Sequence, residues 1–132
     1  MKTIIVCDAI HKVGFEILNR EEDIKVIDAV NVPKDKLLDI LGEADVAITR
    51  SSTEVGEAFL NAAKNLKALV RAGVGVDNVD IDGCSKRGII AMNVPTANTI
   101  AAVELTMAHM LAAARSFPYA HNDLKIDRIW KR

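Results

Sequence analysis

The sequence predicts an α/β protein built on a doubly wound parallel sheet. Short apolar runs rich in β-branched residues alternate with segments whose apolar residues recur at helical spacing. The links between these segments are short, and the alternation occurs five times. Strands that are joined through helices run parallel and are buried between helical layers. We therefore expect five parallel strands with helices on both faces of the sheet.

The five predicted strands are short, and several of them end in polar or charged residues. They cover residues 3–7, 24–27, 45–49, 66–71 and 89–93. Right-handed crossovers leave few topologies for such a chain, and the flavodoxin-like order 2-1-3-4-5 is the expected one. Ligands of such sheets bind beyond the carboxyl ends of the strands, so that edge is where we look for a site.

Capping and breaking residues place the helices between these strands. His11 begins the first predicted helix, and Pro33 suits the first position of the second, which Gly42 should end. Thr53 and Glu54 should open the third helix, and the fourth should cover residues 81–86.

The chain after residue 97 has a different character. Asn98 or Thr99 can cap a long helix that runs to about Arg115 and is apolar nearly all round. Such a helix is normally buried on every side, so we expect it to pack against a second domain or subunit and to favour a homo-oligomer. We therefore divide the chain into a domain over residues 1–97 and an interdomain helix and tail over residues 98–132.

A proline divides this last part of the chain. Pro118 should break the long helix, and a second helix is expected from Tyr119 to about Arg128.

Composition excludes several classes of function. The formal net charge is −1 and aromatic residues make up 4% of the chain, which does not favour binding to nucleic acid or to an anionic membrane. The amino-terminal apolar run is too short for a signal peptide or a membrane span. Cys7 and Cys84 lie far apart without a CxxC spacing, so we expect reduced thiols in a cytoplasmic protein.

A glycine turn follows the fourth predicted strand. Arg71 ends the strand, and Gly73-Val74-Gly75 follows. Asn78 stands where the dinucleotide-binding fingerprint GxGxxG needs its third glycine, so that fingerprint is absent here. Two interpretations are open: the glycines serve the backbone turn, or the turn's N–H groups hold a carboxylate or phosphate.

Two arginines end neighbouring strands at the same predicted edge. Arg50 follows the third strand and Arg71 ends the fourth. Two guanidinium groups at one crevice suit a small molecule with two anionic groups, because each can bind a carboxylate or phosphate bidentately. The alternative is that each arginine pairs with a nearby acid such as Asp8 or Asp77.

The residues alone do not make a complete active site. His11 begins a surface helix, His109 lies within the apolar helix, and His121 lies in the tail. No set of cysteine, histidine and carboxylate residues has metal-ligand spacing, so we expect no metal.

Several motifs, in order along the chain, resemble the D-isomer-specific 2-hydroxyacid dehydrogenase family. They are Arg50-Ser51-Ser52-Thr53, Asn61-Ala62-Ala63 with Leu66, residues 71–80, Arg87-Gly88-Ile89, Asn93-Val94-Pro95 with Asn98, residues 102–105, and Trp130-Lys131-Arg132. Their spread over most of the chain makes the resemblance far more specific than a lone glycine motif.

The resemblance implies a two-domain enzyme that uses NAD to oxidise a small anionic 2-hydroxyacid. It implies a flavodoxin-like substrate domain, and a long helix that crosses to a nucleotide-binding domain. The family's GxGxxG and its catalytic arginine, acid and histidine are expected beyond residue 132. We therefore expect no catalytic residue in this chain, little of the NAD site, and no activity of the chain alone.

The resemblance also assigns roles to residues of this chain. The turn Arg71-Ala72-Gly73-Val74 is similar to the family's substrate loop, whose N–H groups hold the hydroxyacid carboxylate. Arg50 and Arg71 match positions that hold a second anionic group of the substrate. Val74 would lie near the nicotinamide, and Asn98 and Val103 would meet the cofactor.

Two alternative functions are kept. The substrate could be another 2-hydroxyacid, such as glycerate, glyoxylate or lactate. The chain could also be a non-enzymatic interaction module, like corepressor relatives of this family.

Overall fold

A computed structural model describes residues 1–126, and the part from Met1 to Thr96 is an α/β fold around one parallel sheet. The sheet has five strands in the order β2-β1-β3-β4-β5, and every neighbouring pair is parallel. This confirms the predicted fold class and strand order.

The strands and helices lie close to their predicted positions. The strands are β1 (Lys2–Val6), β2 (Ile24–Asp28), β3 (Val46–Thr49), β4 (Ala68–Arg71) and β5 (Ile90–Asn93). The helices are α1 (Lys12–Leu18), α2 (Lys34–Ile40), α3 (Glu57–Ala62), α4 (Ile81–Lys86), α5 (Thr99–Ala114) and α6 (Phe117–Lys125), with a 3₁₀ turn at Leu41–Glu43.

The core lies between the central strands and the helices beside them. Ile5 of β1, Leu69 of β4 and Leu41 of the 3₁₀ turn are fully buried, and Phe59 and Leu60 of α3 pack against them. Burial of such side chains stabilises the fold by about 1.5–3 kcal/mol each. This packing fixes the central strands, and with them the edge at which their carboxyl ends meet.

The last strand departs from the prediction of a sheet covered on both faces. β5 pairs with β4 on one side and lies at the edge of the sheet. Ile90 is 63% exposed and Met92 is 45% exposed. The expectation of helices on both faces does not distinguish an edge strand from a central one, because an apolar run looks the same in both.

Two helix starts also differ from the prediction. Helix α3 begins at Glu57 rather than near Thr53, because Thr53 bonds Asp8 through its N–H and hydroxyl groups instead of opening a helix. Pro118 lies in the first turn of α6, and the chain bends earlier, at Ser116, whose φ is 50°. The predicted helix end near Arg128 and the motif Trp130-Lys131-Arg132 lie outside the described residues.

The chain divides into two compact units, Met1–Thr96 and the part from Ala97 onward. Within the second unit, α5 carries a set of exposed apolar side chains. They are Ile100, Val103, Leu105, Met107, Met110 and Leu111. The packing of α5 against a second domain or another copy of the chain stays a prediction. No helix within residues 1–126 has the length and apolar character needed to cross a membrane.

Candidate functional site

The carboxyl ends of three strands bring charged residues to one edge of the sheet. Asp8 follows β1, Arg50 follows β3, and Arg71 ends β4. Thr49 and Arg71 are register partners in the β3–β4 pair, so Arg50 lies one position beyond Arg71 on the adjacent strand. The structure thus brings the predicted arginine pair to one edge.

Asp8 organises the segment that carries Arg50. Its carboxylate is 7% exposed and accepts the N–H of Arg50 at 2.5 Å and the N–H of Thr53 at 3.2 Å. The Thr53 hydroxyl donates to its other oxygen at 2.9 Å. Hydrogen bonds of this kind offset the cost of burying a charge. Asp8 therefore holds the backbone of this segment, while the Arg50 side chain donates from Nη1 to the Ala9 carbonyl at 3.2 Å.

Asn78 links this segment to Arg71. Its side-chain N–H groups donate to the carbonyls of Arg50 and Thr53, at 2.6 Å each. Its side-chain oxygen accepts Nε of Arg71 at 3.3 Å. Asn78 is 8% exposed, so all of its side-chain hydrogen-bonding groups are used within a buried setting.

The structure does not pair either arginine with an acid inside residues 1–126. The salt bridges found there join Lys2 and Lys67 to Asp45, and Lys25 to Glu43. Asp45 precedes β3, at the opposite edge of the sheet, and its pKa lies below its ordinary value chiefly because Lys67 donates to it. The predicted alternative, in which Asp8 or Asp77 neutralises the arginines, is thus not found among these residues.

The glycines of the turn make room for the Arg71 side chain. A Cβ atom at Gly73 would lie 2.2 Å from Nη1 of Arg71, and one at Gly75 would lie 2.8 Å from Oδ1 of Asp77. Neither glycine has a positive φ; among the described residues Gly88, at 69°, is the glycine that does. Glycine at position 73 therefore leaves room for the end of the Arg71 side chain, which a larger residue would push aside, and does not serve an unusual backbone conformation.

Hydrogen bonds within the turn decide which N–H groups remain for a ligand. The N–H of Ala72 donates to the Thr49 carbonyl at 2.7 Å, and that of Gly73 to the Arg71 carbonyl at 2.8 Å. The N–H groups of Val74 and Gly75 have no partner within residues 1–126. The N–H of Ala72 is thus used by strand β3 and that of Gly73 by the turn itself, so neither remains for a ligand.

Asn93 supports the far side of the same turn. Its side-chain N–H donates to the Val74 carbonyl at 2.8 Å, and the N–H of Val94 donates to the Gly73 carbonyl at 3.0 Å. These bonds hold the carbonyls of Gly73 and Val74 toward β5.

The three predicted cofactor contacts lie in exposed positions. The Val74 side chain is 41% exposed in the turn. Asn98 is the N-cap residue of α5 without a side-chain capping bond, and Val103 lies on α5 itself with its side chain exposed. Their contact with NAD stays a prediction.

His11 and His121 make contacts that support the fold. His11 caps α1 by accepting the N–H of Val13 at 3.3 Å, and His121 stacks on Phe117 with ring centroids 6.1 Å apart. Residues 1–126 contain no cluster of three or more histidine, cysteine or carboxylate groups that could hold a metal ion.

Both cysteines are buried and free. Burial, helped by the neighbouring Asp8, raises the pKa of the Cys7 thiol to about 12. Burial and Asp80 also raise the pKa of Cys84. Because the thiolate is the reactive form, neither thiol should act as a nucleophile near neutral pH.

We expect both thiols of the folded chain to react slowly with a disulfide reagent at pH 8, by at least about a hundredfold relative to a free thiol. The release of thionitrobenzoate gives the rate. The same chain in guanidinium chloride is the control, where two thiols should react at once. Rapid reaction of either thiol in the folded chain would contradict the burial described above.

The hydrogen bonds of the Asn78 side chain were not predicted from the sequence, in which Asn78 stood out only as the residue in place of a third glycine. Its partners lie 7, 25 and 28 positions away, so no local pattern marks it. One feature of the sequence could have indicated Asn78: it is a polar residue, beside Asp77, between the apolar residues Val76 and Val79, just after a strand end where ligands of such sheets bind.

These features define a class of protein: a doubly wound α/β domain that carries two arginines, and a turn with N–H groups unpaired within residues 1–126, at the carboxyl edge of its sheet. The sequence profile described as the D-isomer specific 2-hydroxyacid dehydrogenase catalytic domain matches residues 4–124. The chain belongs to this family.

Named relatives narrow the comparison. The chain is 42% identical over 125 residues to a D-3-phosphoglycerate dehydrogenase of Methanocaldococcus jannaschii, a match that covers 95% of this chain and 24% of that protein. It is 38% identical over 132 residues to the enzyme of that name from Synechocystis, covering 100% of this chain and 23% of that protein. The chain thus spans about a quarter of the length of these relatives.

Solved structures share the fold. The TT0316 protein of Thermus thermophilus superposes with a TM-score of 0.85 at 28% identity, over 98% of this chain and 42% of that one. The NAD+-bound 3-phosphoglycerate dehydrogenase of Entamoeba histolytica gives 0.69 at 28% identity, over 84% of this chain and 38% of that one.

Proposed function

We propose that this chain is the substrate-domain portion of an NAD-dependent dehydrogenase that oxidises 3-phospho-D-glycerate to 3-phosphohydroxypyruvate, the first step of serine biosynthesis. One observation carries the proposal: two guanidinium groups, unpaired with acids in residues 1–126, lie at the same sheet edge as the free N–H groups of the turn. The relatives named D-3-phosphoglycerate dehydrogenase support this choice of substrate.

The two anionic groups of the substrate would bind different donors. The N–H groups of Val74 and Gly75 suit the carboxylate, because two adjacent donors can each meet one of its oxygens. Arg50 and Arg71 suit the phosphate, since a guanidinium group matches phosphate oxygens bidentately. A substrate without a second anionic group would leave the arginines unused.

The chain's share of the chemistry is positioning. When bound, NAD supplies the hydride acceptor. The carboxylate and phosphate contacts would fix the carbon between them, so that the hydroxyl proton and the hydride can leave in defined directions. The exposed side chain of Val74 gives this chain one apolar surface suited to the nicotinamide ring. The base and the group that polarises the new carbonyl would come from outside this chain.

Two proteins test this proposal together. The 132-residue chain alone should produce no NADH from 3-phosphoglycerate, because it is expected to lack the catalytic groups. The same chain, grafted in place of the matching segment of the Methanocaldococcus enzyme, should restore NADH production, followed by absorbance at 340 nm.

Each outcome of this experiment separates the candidate functions. Turnover by the isolated chain would refute the expected inactivity. A folded graft that oxidises D-lactate or D-glycerate in preference to 3-phosphoglycerate would favour another 2-hydroxyacid. A folded graft that oxidises none of them would favour an interaction module.

A further inference from the structure

We propose that Asn78 is a positioning residue that ties the guanidinium group of Arg71 to the backbone of the segment carrying Arg50, so that Arg71 is held ready for the substrate's second anionic group. This inference rests on the proposed function. Asn78 would not touch the substrate; it would act through Arg71.

The chemistry of the Asn78 amide fits this task. The amide makes three hydrogen bonds at once. Its two N–H groups donate to the carbonyls of Arg50 and Thr53, and its oxygen accepts the Nε–H of Arg71. An amide in the reversed orientation would place its oxygen against two carbonyl oxygens, so the network fixes its orientation. An aspartate at this position would lack both donors, and its charge would neutralise Arg71.

The bond to Nε leaves the outer end of Arg71 available. A guanidinium group has five N–H donors, and four of them belong to Nη1 and Nη2. Nη1 lies over Gly73, where a Cβ atom would be 2.2 Å away. Asn78 on one side and the Gly73 backbone on the other therefore limit how this side chain can turn, with its two outer nitrogens free to meet a phosphate.

The backbone around Asn78 is held by backbone hydrogen bonds that do not involve the Asn78 side chain. Val55 donates its N–H to the Asn78 carbonyl at 2.9 Å, and Asp80 donates its N–H to the Val55 carbonyl at 2.9 Å. These bonds form a parallel bridge between Val55 and Val79. Because the bridge already joins the two segments, the side chain of Asn78 is the part that adds control over Arg71.

The test compares two ligands on the 132-residue chain and its Asn78→Ala variant. Titration by NMR should show that the variant binds 3-phosphoglycerate about tenfold more weakly. This is the loss expected if Arg71, no longer held by Asn78, gives up one charge-assisted contact with the phosphate. Affinity for D-glycerate, which lacks the phosphate, should change less than about twofold. A residue that merely supports the fold would weaken both ligands alike, and that result would overturn the proposal.

A matched control uses the other asparagine–arginine pair of the domain. Asn61 accepts Nη2 of Arg87 at 2.7 Å at the opposite edge of the sheet. Asn61→Ala removes the same type of contact and should leave the affinity for both ligands unchanged. A loss equal to that of Asn78→Ala would show that the effect is general destabilisation, and would also overturn the proposal.

A second readout does not depend on any ligand. The Nε–H resonance of Arg71 should exchange with water at least about tenfold faster in Asn78→Ala than in the original chain, because its acceptor is gone. In Asn78→Asp, which keeps an acceptor, exchange should stay slow while affinity for 3-phosphoglycerate falls. If Asn78→Ala does not fold, Asn78→Ser, whose small hydroxyl can still donate to one of the two carbonyls, gives the same comparison.

The two proposals fail in different ways. If the original chain does not bind 3-phosphoglycerate, the proposed function is at fault, and the Arg71 resonance still tests Asn78. Unchanged exchange of that resonance in Asn78→Ala would refute the positioning role even if the substrate binds as proposed.

Discussion

Replacing Arg71 by methionine should lower the affinity of this chain for 3-phosphoglycerate by roughly tenfold to a hundredfold, since hydrogen bonds to charged groups contribute about 1.5–3 kcal/mol. Methionine keeps an apolar stem of similar length and removes the guanidinium group. Stability should fall by only about 1 kcal/mol, because the side chain of Arg71 makes one hydrogen bond, to Asn78. Calorimetric titration measures the affinity and urea unfolding the stability.

Arg87→Met is the matched control for this prediction. Arg87 also donates to an asparagine side chain, but it lies at the opposite edge of the sheet, where it bonds Asn61 and the Gly83 carbonyl. Its removal should leave the affinity for 3-phosphoglycerate unchanged. If both variants bind as tightly as the original chain, Arg71 does not hold the substrate.

Replacing Asp8 by alanine should have the largest effect on folding, a loss of about 2–4 kcal/mol from the free energy of unfolding. The change leaves the N–H groups of Arg50 and Thr53 without their buried acceptor. Such a loss is a large part of the 5–15 kcal/mol typical of a whole domain. Urea unfolding followed by circular dichroism measures it.

Asp8→Asn separates hydrogen bonding from charge. The asparagine oxygen can accept both N–H groups, and its amide can donate to the Thr53 hydroxyl, which reverses its own bond. We therefore expect this variant to lose less than about 1 kcal/mol. Equal losses in the two variants would mean that the charge of Asp8, and not its hydrogen bonds, holds the segment.

Local pattern was enough to predict the sheet, because alternation of strand and helix together with right-handed crossovers nearly determines a parallel order. It also predicted that Arg50 and Arg71 lie at one edge of the sheet, since they stand at the carboxyl ends of neighbouring parallel strands. It did not predict the exposure of Ile90 and Met92 in β5, because an apolar run does not reveal which strand has a neighbour on one side only.

Some features of the site could not be predicted from the sequence because they depend on contacts between segments that are distant along the chain. Thr53 looked like the start of a helix, yet its hydroxyl and N–H groups bond Asp8, 45 positions earlier. Whether the arginines pair with acids or face a ligand depends on side-chain directions that no spacing records. The role of Gly73 was likewise hidden, because the group that needs the space is a side chain two residues before it.

The contact between Gly73 and Arg71 has a consequence for substitutions in this turn. With Nη1 of Arg71 lying 2.2 Å from where a Cβ would stand, any larger residue at position 73 has to displace the arginine first. A side chain at position 73 would therefore move the guanidinium group of Arg71 away from the place that its bond to Asn78 gives it. Position 73 would in this way affect a second anionic group of the substrate through Arg71, without touching the ligand.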